Sequence, residues 1–487
     1  MNELGVGLVY FQGLEDFLAL HSSLIDVVEI EPQTFWYDKD DGCNAFKYDA
    51  GVTDFLRNYN RPKLFHGVGY PVGGTFLPPD MHFNTLRKQA EELHPQWVSE
   101  HLSFNYIKEA DEIINAGFLL PPIQSNEGVK VAVANIRNYQ SRMNRPFAFE
   151  TGVNYLQPRK NEMPDGLFVR KVAEEADCHI LLDLHNILTN QRNGRQSVKD
   201  FLEFIPFERV IELHVGGGMY YKDYYLDAHS GVSDAELFEI LENVVCRLPN
   251  LKALMFEIEP DALNKLPGSE ITGQLTKMQR IWEKRGNHYK KRETQSIPCF
   301  SQNFDESISV NEWENTLGGL ILGRSQESKL SKELLKDGGI AIIKDLVFNF
   351  RGSVLISIMK LTTRLLRLSV GEERFNQYVV DFFDTTAPEL LPVILAEQFA
   401  VYIVLKDLRV RYLEKILEYE LFTIYTAIDK QARSVSFSFD PAPVMEALEN
   451  LQLPAEQVIG KSVKLQIVYQ QPEFTSEALS FSPVFHN

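Results

Sequence analysis

Nine side chains in the first 260 residues are candidates to hold cations: His66, His101, Glu150, Asp183, His185, His214, Asp227, His229 and Glu257. Each alone reads as a satisfied structural group. Gathered into one apolar mouth, imidazoles and carboxylates would cost several kcal/mol per uncompensated charge, and bound cations remove that cost by taking them as ligands. A set of five histidines and four carboxylates without a thiolate suits iron, manganese or zinc, and it exceeds the six positions of one ion. More than one ion is implied. A carboxylate can bridge two, and Glu150, midway through the series, is the natural choice.

What must bring these residues together is a set of repeated βα units. Short apolar runs rich in β-branched and aromatic residues occur at Leu4–Leu8, Val27–Glu31, Lys63–Val68, Trp97–Leu102, Phe147–Thr151, His179–Asn186, Arg209–Val215 and Ala253–Glu259. Amphipathic stretches follow each, at Leu14–Ser22, Gly51–Tyr59, Asp80–Leu93, Gly128–Met143, Asp165–Glu175, Ser197–Phe204, Ser233–Arg247 and Glu270–Lys284. Eight alternating pairs predict an α/β fold, a (β/α)8 barrel of TIM type. Strands three to eight each carry His, Asp or Glu near the C-terminal end, and in a barrel those ends converge on one face. On the strand read through Asn186, Asp183 and His185 are two apart and so share a side.

The stretch after the seventh strand, Gly216-Gly217-Gly218-Met219-Tyr220-Tyr221, leads through further tyrosines to Asp227-Ala228-His229. Its glycines permit close backbone approach, its tyrosines could cover a peptide or other organic substrate, and Asp227 with His229 would enlarge the cluster. His21, His82 and His94 fall on expected helices and His179 begins a strand, so they are left out of the ligand set.

Composition narrows the function classes. The chain of 487 residues has a net charge of -18 and no basic tract, which argues against nucleic acid as a partner. No apolar run approaches the roughly 20 residues that span a bilayer, and no membrane partner or signal segment is expected. Four cysteines without a close pair suit a reducing cytoplasm. A polar, charge-dense stretch from Glu283 to Pro298 reads as a linker, dividing a barrel domain at 1–290 from a second domain at 305–487.

Read in order, Leu4-Gly-Val-Gly-Leu8, Val28-Glu-Ile-Glu-Pro32, His66-Gly-Val-Gly69, Ser99-Glu-His-Leu-Ser103, Phe149-Glu-Thr-Gly152, Leu181-Leu-Asp-Leu-His-Asn186, Glu212-Leu-His-Val-Gly-Gly217, Asp227-Ala-His-Ser-Gly231 and Phe256-Glu257 resemble the multinuclear non-haem iron-dependent oxidative enzymes, the family of the methanobactin-forming enzyme. The resemblance covers about residues 1–285. It implies a TIM-type barrel, xylose-isomerase-like, holding two or three irons in mixed Fe(II)/Fe(III) states. With O2 as co-substrate, such an enzyme modifies a ribosomally made precursor peptide, commonly at cysteine or the adjacent backbone. Carried over by position, His66 and His101 would bind one iron. Glu150 would bridge to a second, held by Asp183, His214 and Glu257, and His185, Asp227 and His229 would serve a third. Where many members read Asp-x-Asn-Asn, this chain has Asp183-Leu184-His185-Asn186, and Gly216 stands where an alanine is usual. Glu31 and Tyr106 are candidates to orient substrate at the mouth.

After residue 305 the pattern turns helical, at Lys329–Leu335, Val354–Leu368, Glu372–Thr385, Leu390–Val401 and Val410–Thr426, with strand-like alternation at Ser434–Asp440 and Val463–Tyr469. This predicts a mainly helical α+β domain with no ligand cluster, best read as an interaction module. Leu365-Leu-Arg-Leu, Gly371-Glu-Glu-Arg-Phe375, Thr386-Ala-Pro388 and Leu417-Glu-Tyr-Glu420 within Leu361–Ala427 resemble the small helical partner protein usually encoded beside these oxidases. Fusion would replace that separate partner and keep the precursor's leader near the barrel, and strand addition at 434–440 or 463–469 is one route to hold it. The competing readings are a divalent-metal barrel isomerase or phosphoesterase that does not use O2, and a non-catalytic scaffold.

Overall fold

The computed structural model describes residues 1–40, 42–285, 304, 306–324, 327–455 and 462–469. Eight parallel strands alternate with helices: β1 (Gly5–Tyr10), β2 (Val27–Ile30), β3 (Lys63–Gly67), β4 (Val98–His101), β5 (Phe147–Glu150), β6 (His179–Asp183), β7 (Val210–Gly216) and β8 (Ala253–Glu257). Each pairs with its sequence neighbours, and β1 pairs with β8, so the sheet closes into a barrel. The strands are buried nearly throughout, as parallel strands covered by helices must be, and this is why they read as apolar runs.

Helices follow where the amphipathic pattern placed them, with Asp49, Ser125, Ser197 and Asp234 each accepting a backbone N–H of the first turn. Inside the barrel, one layer is largely apolar: Val27, Leu64, Trp97, Ala148, Leu181, Ala253 and Met255 fill it, with Glu212 in register beside Leu181 and Ala253 and accepting from Trp97 Nε1. The alternation of side chains then puts Glu29, His66, Glu150, Asp183, His214 and Glu257 into the next layer toward the C-terminal ends.

Three features depart from the sequence expectation. β6 stops at Asp183 rather than Asn186: the Asp183 carboxylate accepts the N–H of Asn186 at 2.8 Å and caps a helix at Leu184–Arg192. His185 is therefore in the first turn of a helix, and the two-residue strand spacing does not relate it to Asp183. Three hairpins follow strand ends on the site side of the barrel, Trp36–Asp40 with Ala45–Tyr48, Phe104–Glu109 with Glu112–Leu120, and Met219–Tyr221 with Tyr224–Leu226. Finally, the compact unit holding the barrel continues to Ile343. Helix Val310–Ile321 is fastened to its loops by Trp313 Nε1 donating to Pro121 O at 2.9 Å and by Thr75 N donating to Glu314 at 2.8 Å. Most of the linker expected at Glu283–Pro298 lies outside the described residues.

The second unit, from Lys344 onward, has its own core of helices Lys360–Val370, Glu372–Thr385, Pro392–Leu405 and Leu413–Asp429 around Leu366, Phe382, Phe399 and Ile416. Buried Glu420 accepts the N–H groups of Leu361 and Thr362 at 2.6 and 2.7 Å, supplying the cap that Met359 does not. Strands Arg433–Phe437 and Val463–Ile467 pair antiparallel.

Candidate functional site

Six strand ends, those of β3 to β8, supply His66, His101, Glu150, Asp183, His214 and Glu257, and the helix after β6 and the loop after β7 add His185, Asp227 and His229, so that the nine predicted residues form one continuous cluster. His66 and His101 direct Nε2 at Glu150 Oε2, at 3.2 and 2.8 Å. His214 Nδ1 lies 2.8 Å from Glu257 Oε1, and His229 Nε2 is 2.9 Å from Glu257 Oε2. Asp227 Oδ1 is 3.0 Å from His229 Nε2 and 3.5 Å from His185 Nε2. Donor atoms of Glu150, Asp183, His214 and Glu257 also lie within 4.8 Å of one another, as do those of His66, His101 and Glu150. Glu150 thus belongs to two groups.

Two imidazoles have their tautomers fixed from behind. His101 Nδ1 is 3.0 Å from Gly67 O, and a carbonyl only accepts, so Nδ1 carries a proton and the neutral ring presents its lone pair on Nε2. His66 Nδ1 is 2.9 Å from Ser99 Oγ, whose own proton goes to Phe65 O, with the same result. Gly67 itself is required by space, because a Cβ there would lie 1.8 Å from the buried Glu100 carboxylate. The two oxygens of Glu150 are used differently: Asn186 Nδ2 donates to Oε1 at 3.0 Å while Oε2 faces the histidines.

The donor chemistry fits cations. Glu150 Oε2, Asp183 Oδ2, His185 Nε2, both His214 nitrogens, Asp227 Oδ1 and His229 Nε2 are buried without an aligned hydrogen bond, although several lie 2.8–3.2 Å from a nitrogen or oxygen of another residue of the cluster. Two donors bonded side by side to one ion at ~2.1 Å stand about 3 Å apart, with no proton between them. Without an ion the charges are held by each other. Burial disfavours charge on His101, yet Glu150 and Glu100 lift its ring to about 9, and despite burial His101 and His66 hold the Glu150 carboxyl well below the usual carboxylate range. Burial and the neighbouring Glu257 and Glu150 carboxylates push Asp183 well up.

His229 adopts φ of 42°, a left-handed conformation uncommon outside glycine, and its carbonyl accepts the N–H of Glu259 at 3.0 Å. Gly216 gives its ring room: a Cβ there would approach His229 Cδ2 to 3.0 Å. Asp227 N donates to the hydroxyl of buried Tyr155 at 3.2 Å.

Glu31 sits beside this cluster, ahead of a short turn at Pro32–Phe35. Burial and the carboxylates of Glu259 and Glu257 push its carboxyl up to about 7, against the pull of His229 and His101. Tyr106 lies on the first hairpin opposite Asn115 and is not among the residues brought together. The histidines left out stay out: His82 is buried against Gln33 at 3.2 Å, and His21 and His94 end helices. Sequence reasoning missed Glu29 and Glu212, which face His214 Nε2 at 2.9 and 3.7 Å, and the supporting roles of Ser99 and Asn186. The available signal was an acidic residue in the middle of an otherwise apolar strand.

Fold and site together define a (β/α)8 barrel with a buried histidine and carboxylate cluster at the C-terminal ends of its strands. Residues 4–281 match the family described as RiPP precursor modification enzyme MbnB/TglH/ChrH, and the chain belongs to that family, whose members modify ribosomally made precursor peptides. A UPF0276 protein of Neisseria meningitidis serogroup B is 30% identical over 277 residues, 56% of this chain and 93% of that one. A UPF0276 protein of Caulobacter vibrioides is 25% identical over 239 residues, 49% of this chain and 81% of that one. Among solved structures, D-psicose 3-epimerase from Clostridium cellulolyticum H10 has a TM-score of 0.37 at 12% identity, covering 58% of this chain and 99% of that one. A xylose isomerase domain protein from Alicyclobacillus acidocaldarius has a TM-score of 0.35 at 14% identity, covering 59% and 98%. No helix among the described residues is long and apolar enough to cross a membrane.

Proposed function

We propose that this chain is a multinuclear iron, O2-dependent oxidase that modifies a cysteine side chain or the adjacent backbone of a ribosomally made peptide, and that its second unit holds that peptide's leader. The observation that carries the metal part is the set of buried donor atoms, close together yet without aligned hydrogen bonds. His66, His101 and Glu150 would hold one ion; Glu150, Asp183, His214 and Glu257 a second; His185, Asp227 and His229 a third. Bound iron would supply redox equivalents and a binding point for O2 and for a substrate thiolate or amide.

The chain's own residues do the rest. Ser99 and the Gly67 carbonyl keep two imidazoles aimed inward, and Asn186 holds one oxygen of Glu150 so that the other remains presented. Glu31, with its carboxyl near 7, can hold or release a proton beside the mouth at neutral pH. The largely apolar, fully buried layer beneath closes the floor of the site to water. The experiment that decides is anaerobic purification, metal analysis, and exposure to O2 with a precursor peptide encoded beside the chain. The expected result is oxygen uptake matched by a mass change on the peptide. Turnover under strict anaerobiosis with manganese or zinc would overturn it in favour of a barrel isomerase or phosphoesterase, and a loaded protein that alters no neighbouring precursor would favour a scaffold.

A further inference from the structure

His214 differs from its two neighbours. His66 and His101 each have one nitrogen occupied by a neutral acceptor, whereas both nitrogens of His214 face carboxylates: Nδ1 faces Glu257 at 2.8 Å, and Nε2 faces Glu29 at 2.9 Å with Glu212 at 3.7 Å. None of Glu29, Glu212 and His214 exposes any surface. Trp97 Nε1 donates to Glu212 Oε2 at 2.7 Å, but neither oxygen of Glu29 has an aligned hydrogen bond, nor does Glu212 Oε1.

A carboxylate enclosed in this way must receive a proton, a donor or a cation. A cation between Glu29, Glu212 and Nε2 would find three protein donors in a closed space and would compete for an imidazole already turned toward Glu257 and Asp183. Serving both sides would require the ring to lose its last proton. A neutral imidazole has one lone pair and one N–H, and this meets both demands: the lone pair on Nδ1 for the centre, the N–H on Nε2 for Glu29.

We propose that Glu29 is a positioning residue that takes the Nε2–H of His214, with Glu212 behind it held by Trp97, and so commits Nδ1 to the ion at Glu150, Asp183 and Glu257. The inference rests on the metal centre of the proposed function, not on its oxygen chemistry. It gives the cluster opposite ring orientations, with His66 and His101 ligating through Nε2 and His214 through Nδ1.

The test uses the full chain loaded anaerobically with Zn(II) and with Co(II), without substrate. In the Zn(II) form labelled with 15N-histidine, the resonance lost in His214→Gln should show a protonated Nε2 and a metal-bound Nδ1. A protonated Nδ1 at that residue overturns the proposal. In chelator competition, Glu29→Met should weaken one ion per chain by about ten- to a hundredfold and alter the Co(II) spectrum, while Glu29→Gln, which retains an acceptor, stays within a few-fold of wild type. If Glu29→Met does not fold, the nitrogen resonances of the wild-type chain still decide. Unchanged retention in a folded Glu29→Met chain overturns the proposal, as does loss of a whole ion from Glu212→Gln with the remaining spectrum unaltered, which would reveal a cation at Glu29. A chain that binds metal as described but takes up no O2 defeats the proposed function alone, and a wild-type chain that binds neither metal defeats both.

Discussion

Glu150 has two oxygens with separate duties, one accepting from Asn186 and one facing the Nε2 atoms of His66 and His101. Glu150→Gln preserves the volume but removes the anionic oxygen that two donor groups share. The chain is expected to lose at least one ion per molecule in anaerobic elemental analysis, and peptide modification should fall by at least about a hundredfold. Asn186→Ala leaves every ligand in place and withdraws only the support, so about tenfold weaker retention against a chelator is expected. If the two variants kept equal metal content, Glu150 would not be the shared ligand. His185 stands where the family resemblance leads one to expect asparagine: lying 3.5 Å from Asp227 Oδ1, it should be replaceable by asparagine without loss at the His66 and His101 centre, and any lost ion should come from the Asp227 and His229 side.

At the scale of elements, helix Val310–Ile321 provides a clean pH prediction. Burial pushes the Glu314 carboxyl up to about 7 from 4.5, against the Thr75 N–H and hydroxyl that favour its charged form. Between those pH values the folded chain holds a proton that the unfolded chain has released, so stability falls as pH rises, by up to about 1.4 kcal/mol per unit. Glu314→Gln keeps an acceptor for Thr75 and cannot titrate. Its Tm should therefore gain on that of wild type as pH is raised from about 5 to 7; parallel curves would show that Glu314 is charged in the fold.

The sequence also made most of the barrel legible, because fully buried parallel strands are short apolar runs and because amphipathic helices separate them. Two of its three departures at this scale, the end of β6 and the reach of the barrel unit, have plain physical causes. Asp183 both ends a strand and caps a helix, and nothing in Leu182-Asp183-Leu184-His185 breaks the apolar pattern at the change of period. Helix Val310–Ile321 joins the barrel through contacts more than 180 positions away, at Thr75, Pro121 and Glu127, and long-range contacts of that kind leave no local periodicity. The site was legible through its histidines and less through Glu29 and Glu212, since an acid inside an apolar strand marks an unusual position but not the imidazole it meets, which only closure of the barrel supplies.

For the whole molecule, the question is what a second unit with its own core contributes to a barrel that already contains the cluster. The proposed function assigns it the leader, and one chain then presents both the leader's binding partner and the chemistry, at an effective concentration on the order of millimolar for a short linker. Binding energy from a part of the substrate that does not react acts mainly on substrate affinity when it is held equally before and during reaction. A core peptide without its leader should accordingly be modified with KM raised at least about tenfold and kcat changed far less, and added free leader should inhibit the full precursor competitively. Steady-state kinetics on matched peptides, followed by mass spectrometry, separate the two constants. If instead kcat collapses while KM holds, the leader is helping to build the reacting geometry rather than to deliver the peptide, and the second unit's part in the reaction is activation of the barrel.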